Sequence, residues 1–141
     1  MVQRSFASII KKIEQDLDQV RDEFLRNVAQ DLVASSPVDT GTYVSNHSIT
    51  TSSGAGGTKN SHGKGPDNGT ARSEALSKLN AQISALPPEA TTVYIANRSP
   101  YADRVEYSGW RSTSAYQVFT GVRNRAGIHL QDAINTVKAR Q

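Results

Sequence analysis

Phe6, Ile9, Ile10, Ile13, Leu17, Val20, Phe24, Val28 and Leu32 recur at spacings of three and four, which is one face of an α-helix held for some eight turns. The pattern predicts a helix over residues 1–36. Pro37 ends it, because proline disfavours the helical conformation in the residue before it, Ser36. At 1.5 Å per residue such a helix is roughly 45 Å long, more than a domain of 141 residues can cover. Part of its apolar stripe is therefore expected to pack on something else. Within the stripe, Ile10, Ile13, Leu17, Val20 and Phe24 alternate three and four as in a coiled-coil seam.

Downstream, alternating polarity and β-branched residues predict a strand from Tyr43 to Thr50. Residues 51–69 hold six of the ten glycines and almost nothing apolar, and read as a flexible glycine-rich loop that orders, if at all, against a partner. Thr70 suits an N-cap, and Leu76, Leu79, Ile83 and Leu86 give a second helical face. A short strand follows from Thr91 to Ala96. Ser99-Pro100 then opens a short helix closed by Ser108-Gly109. From about Ser114, a last helix carries Phe119, Val122, Ala126, Leu130, Ala133 and Val137 on one face, weakened by Gly121 and Gly127. The expected fold is one α+β domain over residues 1–141. Its long N-terminal and C-terminal helices pack on a small, mainly antiparallel sheet.

Only 36% of the residues are hydrophobic and the mean hydropathy is -0.52, polar for a compact domain without the profile of general disorder. The absence of cysteine removes disulfides, thiol nucleophiles and Cys-based zinc sites. No stretch approaches the ~20 apolar residues of a membrane span, and the N-terminus lacks a signal-peptide core. No membrane partner and a cytoplasmic site of synthesis are expected. The net charge of +3 is divided unevenly. Residues 1–50 carry seven acidic against five basic side chains, and residues 91–141 seven basic against three acidic. Faces of opposite sign meeting between neighbouring copies fit this division.

The chemistry-bearing motif is Val38-Asp39-Thr40-Gly41, the spelling of an aspartic-protease half-site. Two such copies would have to share a proton between carboxylates. The approach to Asp39 is a polar-faced helix and a proline, not a hydrophobic strand, so a turn explains the residues better. Pro37 stops the helix, Asp39 or Thr40 caps backbone N–H groups, and Gly41 permits a positive φ. A small dimeric aspartic protease using Asp39 is the alternative from another class. Gly63-Lys64 is not a phosphate-binding loop, and His47, His62 and His129 lack ligand spacing. No catalytic, cofactor-binding or metal-binding residues are assigned, and a non-enzyme is expected. Arg98, Arg104, Arg111, Arg123 and Arg125 lie among Tyr101, Tyr107, Trp110 and Tyr116. Interrupting acids and the lack of a reading motif leave this at most a surface for nucleic acid without sequence specificity. Trp110, Arg111, Arg104 and Arg123, with Lys59 and Lys64 in the loop, are the expected interface residues.

Three stretches taken in order, "SSPVDTGTYVSNHSI", "EALSKLNAQISAL" and "VYIANRSPYADRVEYSG", resemble the small tail-completion or neck proteins of long-tailed bacteriophages. The matched positions are the turn from Pro37 to Gly41 and a second signature at Asn97, Pro100, Tyr101, Ala102, Glu106 and Tyr107. Ser108-Gly109 departs from the family, where a glycine often follows the aromatic directly, as does "TYVSN", where an arginine is common. The resemblance implies a structural virion protein of the head–tail junction, assembled in the host cytoplasm. It would form a ring, commonly of six copies, between connector or head-closure and tail-terminator or tail-tube proteins, around a channel for DNA. A tail-terminator or head-closure ring is the alternative within the same class.

Overall fold

The computed structural model describes residues 6–38, 42–52, 68–90, 92–99, 102, 104–108 and 116–141. The chain is α+β: helices surround one two-stranded antiparallel sheet among the described residues. In chain order, the elements are α1 (Phe6–Ser35), α2 (Thr42–Ser45), β1 (His47–Thr50), α3 (Asn68–Ser84), β2 (Tyr94–Asn97), a π-helical turn (Arg104–Ser108), α4 (Val118–Asn124) and α5 (Ala126–Ala139). His47 pairs with Asn97 and Thr50 with Tyr94 across the sheet.

α1 is the spine. Leu25, Ala29 and Val33 pack with Val44, Ile49, Ala71, Ala75, Leu79 and Ile83 from α2, β1 and α3. Val28 and Leu32, displaced around the same helix, pack instead with Tyr43, Val105, Val118 and Val122. Phe24 and Ile95 touch both groups. The apolar period of α1 thus serves two cores on adjoining sides.

The helices beside α1 run antiparallel to it. Arg72 at the start of α3 donates to the Val33 and Ser36 carbonyls, Arg26 meets Ser84 near the end of α3, and Arg21 donates to the Pro87 carbonyl just beyond it. α5 begins opposite Asp31 and ends where Arg140 meets Glu23 at 2.7 Å. Both neighbours therefore stop opposite Arg21 and Glu23. α1 continues outward from Val20 to Phe6, a projection of about 22 Å. Leu17 on this projection is 63% exposed.

Several sequence expectations change. The strand expected from Tyr43 begins only at His47, because the helical turn of α2 lets the adjacent Tyr43 and Val44 both enter the core. A strand would send them to opposite faces. The strand expected over Thr91–Ala96 runs from Tyr94 to Asn97. Thr70 lies inside α3 and does not cap it. In the short helix expected after Ser99, Ala102 is helical and Arg104–Ser108 form a π-helical turn. The single last helix is two, interrupted at Arg125. Val118 replaces Phe119 as the fully buried residue of α4, and Leu130 is 44% exposed. Residues 53–67 of the glycine loop and Asp39, Thr40 and Gly41 of the turn lie outside the described residues.

Leu32→Ala, at a fully buried position shared by the second core, is expected to lower stability by about 2–5 kcal/mol. Leu17→Ala on the projection should change it by less than about 0.5 kcal/mol. Urea unfolding of both variants measures the contrast.

Candidate functional site

The end of α1, α2 and both strands meet at His47, which is wholly buried. Its Nε2 lies 2.7 Å from the Ser36 hydroxyl and its Nδ1 lies 3.1 Å from the Asn97 amide nitrogen. A Ser–His–Asn line has the composition of a nucleophile with its base and orienter. Its hydrogen-bond directions are wrong for that chemistry. Asn97 Oδ1 accepts the Ser99 N–H at 2.9 Å, and its Nδ2 donates to the Tyr43 carbonyl at 2.8 Å. Two backbone groups thereby fix the amide, leaving Nδ2 as a donor toward His47. Nδ1 of His47 must accept, so Nε2 carries the proton and donates it to Ser36. Ser36 in turn donates to the Leu32 carbonyl. A hydroxyl that receives the imidazole proton cannot be deprotonated by it, and Ser36 is itself buried.

Burial, with a smaller contribution from the charge of Lys78, pushes the His47 pKa down to about 3. Tyr43 stands edge-on to the ring at 5.1 Å and Phe119 is tilted against it at 5.5 Å. Lys78 donates to the Ser45 carbonyl at 2.6 Å, holding α2 onto α3. The assembly is a polar knot that closes the fold.

Two carboxylates make further joints. Glu106, 5% exposed, accepts the N–H groups of Phe119 and Thr120 at 2.9 Å and the Thr120 hydroxyl at 2.7 Å. It caps α4 from a distance, where Gln117 has φ 50° and makes no side-chain cap. Asp31 receives two bonds of 2.8 Å from Arg125, one of 2.7 Å from His129 and one of 2.9 Å from Ser35. The Arg125 fork, helped by His129 and opposed by burial, holds the Asp31 carboxyl well below the usual range. Gly121 leaves room for the fork: a Cβ there would stand 3.3 Å from the guanidinium.

The sequence signatures divide accordingly. Asn97 and Glu106 are hydrogen-bonded joints, Ala102 packs against the second core, and Tyr107 is 75% exposed. Pro37 is half-buried and Arg104 and Arg123 are exposed. Pro100, Tyr101, Trp110, Arg111, Lys59 and Lys64 lie outside the described residues. Spacing alone sets His47 and His129 aside as scattered, yet each sits in one of these side-chain clusters. Their partners are 11 and 50 residues away for His47 and 98 for the Asp31–His129 pair, beyond any local period. Among the described residues no three metal-ligating side chains converge. An open groove of about 720 Å³ beside Asp31 is lined by Asn27, Arg72, Ser73, Leu76, His129 and Asp132. The chain matches no protein-family model, no curated protein and no solved structure.

The native state keeps His47 neutral while the unfolded chain protonates near pH 6.5. Its contribution to stability is therefore full above pH 6.5 and is lost as the pH falls toward 3. Asp31 adds to the loss only below about pH 4. Between pH 6.5 and 4.5 the slope from His47 approaches at most about 1.4 kcal/mol per pH unit. His47→Gln should cost about 1–3 kcal/mol near neutrality and flatten that slope. Urea midpoints across the pH range measure both.

Proposed function

We propose that this chain is a structural subunit of the neck of a long-tailed bacteriophage, joining tail to head connector as a ring around the DNA channel. The observation that carries the reading is the projection of α1. A helix that outruns both of its neighbours by about four turns, bearing a continuous apolar period, is a poor investment for a solitary domain and a natural contact for an assembly. The ordered resemblance over Pro37–Gly41 and Asn97–Tyr107 supplies the kind of assembly.

The described chemistry supports the same reading. The buried histidine, the two buried or half-buried carboxylates and their partners are spent on closing the fold. The chain is then a non-enzyme whose partners are copies of itself, the adjoining connector and tail rings, and DNA that passes without being read. It resides at the head–tail junction of the virion after assembly in the host cytoplasm.

Gold-labelled antibody against the chain, applied to purified particles of the phage that encodes it, should decorate the junction of head and tail. Unlabelled particles from a lysate rich in the protein would overturn the neck assignment.

A further inference from the structure

At the foot of the α1 projection lies a groove of about 660 Å³ between α1 and the segment after α3. Leu17, Pro88 and Ala90 give it an apolar floor, and Glu14, Asp18 and Glu89 an acidic rim. Its one cation, Arg21, is already held by the Pro87 carbonyl at 2.8 Å and Asp22 at 2.9 Å, and reaches Asp18 of the rim at 4.0 Å, which leaves Glu14 and Glu89 as the acids facing outward. Leu17, Glu14 and Glu89 are exposed. The groove therefore suits a segment that brings an aromatic or aliphatic side chain together with arginine.

The same chain displays such a segment elsewhere. On the π-helical turn, Arg104 and Tyr107 are exposed, the latter at 75%. Tyr116, 40% exposed, is tied to that turn by its N–H on the Val105 carbonyl at 2.9 Å. Arg123 is exposed on the last turn of α4, which Glu106 fastens to the same turn. Glu106 points inward as a cap, so its charge is withdrawn from this surface. Tyrosine and arginine are the residue types that dominate binding energy at interfaces.

The two surfaces cannot meet within one molecule. The basic aromatic one packs on α1 at Val28 and Leu32, 11 to 15 residues along the helix from Leu17 and so about 17–22 Å away. We infer that the acidic groove beside Leu17 receives the Arg104–Tyr107–Arg123 surface of a second copy of this chain, head to tail. Tyr107 lies on Leu17 and Pro88, and the two arginines face Glu14 and Glu89. Because each copy keeps one groove and one patch unfilled at its ends, the contact propagates until a ring closes. The inference rests on the reading of the chain as a ring subunit and names the contact that builds the ring.

A charge swap on the full chain tests it, read by light scattering and sedimentation over a concentration series, with circular dichroism to confirm folding. Glu14→Arg with Glu89→Arg gives a copy with two basic surfaces; Arg104→Glu with Arg123→Glu gives one with two acidic surfaces. Each alone should associate at least tenfold more weakly than the wild type, and a 1:1 mixture should restore assembly by alternation. Tyr107→Ala, which changes no charge, should weaken association in the same way and stands in if a swapped chain misfolds. A wild type that stays monomeric, variants that associate like it, or a mixture that restores nothing would overturn the contact. So would a patch variant that loses only binding to duplex DNA, which would make the surface a nucleic-acid contact. Labelled necks with unaffected association sink the contact alone, whereas a restored mixture with unlabelled particles sinks the neck reading alone.

Discussion

A neutral, wholly buried imidazole ties the ends of three elements of this fold together. His47 can be buried without charge because each ring nitrogen has one partner of the right kind: Nε2 gives its proton to Ser36, and Nδ1 takes one from Asn97. Those partners sit at the end of α1 and the end of β2, and His47 itself opens β1. Leaving either nitrogen unsatisfied in such a place costs about 1–3 kcal/mol, so the ends of three elements are fixed by one side chain. Asn97 extends the same constraint to α2 through the Tyr43 carbonyl.

Around this knot, charge is used to join segments distant in sequence. Asp31 fastens α5 to α1, and Glu106 fastens α4 to the π-helical turn. Both carboxylates lie where apolar residues of the same element already enter a core, so the bonds form in surroundings drier than bulk water, where they are stronger. Together they decide where α5 starts along α1, and its length decides where it stops. The projection of α1 follows from these placements: α3 and α5 both run out at the same level of the spine.

Elements dominated by a local period were legible in the sequence. The stripe of α1, the Leu79–Ile83–Leu86 face of α3 and the stop at Pro37 all rest on contacts within a few residues. Tyr43–Ser45 was not legible, since its alternation fits a strand and only the shape of the surrounding core makes it a helical turn. Nor was Arg125, where the last helix breaks between two glycines and the side chain turns to Asp31 94 residues away. Asn97 and Glu106 stood out through the resemblance to neck proteins, but their roles as an amide clamp and a remote helix cap needed three dimensions. His47 carried no local signal at all.

α1 is divided: α3 and α5 hold it from Arg21 onward, and under the proposed contact a neighbouring copy takes the part that projects beyond them. Hydrogen–deuterium exchange along α1, in dilute and in concentrated protein, tests it most directly. Slow exchange is expected from Phe24 to Ser35 at every concentration. From Phe6 to Val20, exchange should be fast in dilute solution and slow on self-association. Equal protection along the whole helix in the monomer, or a projection whose exchange never responds to concentration, would contradict it.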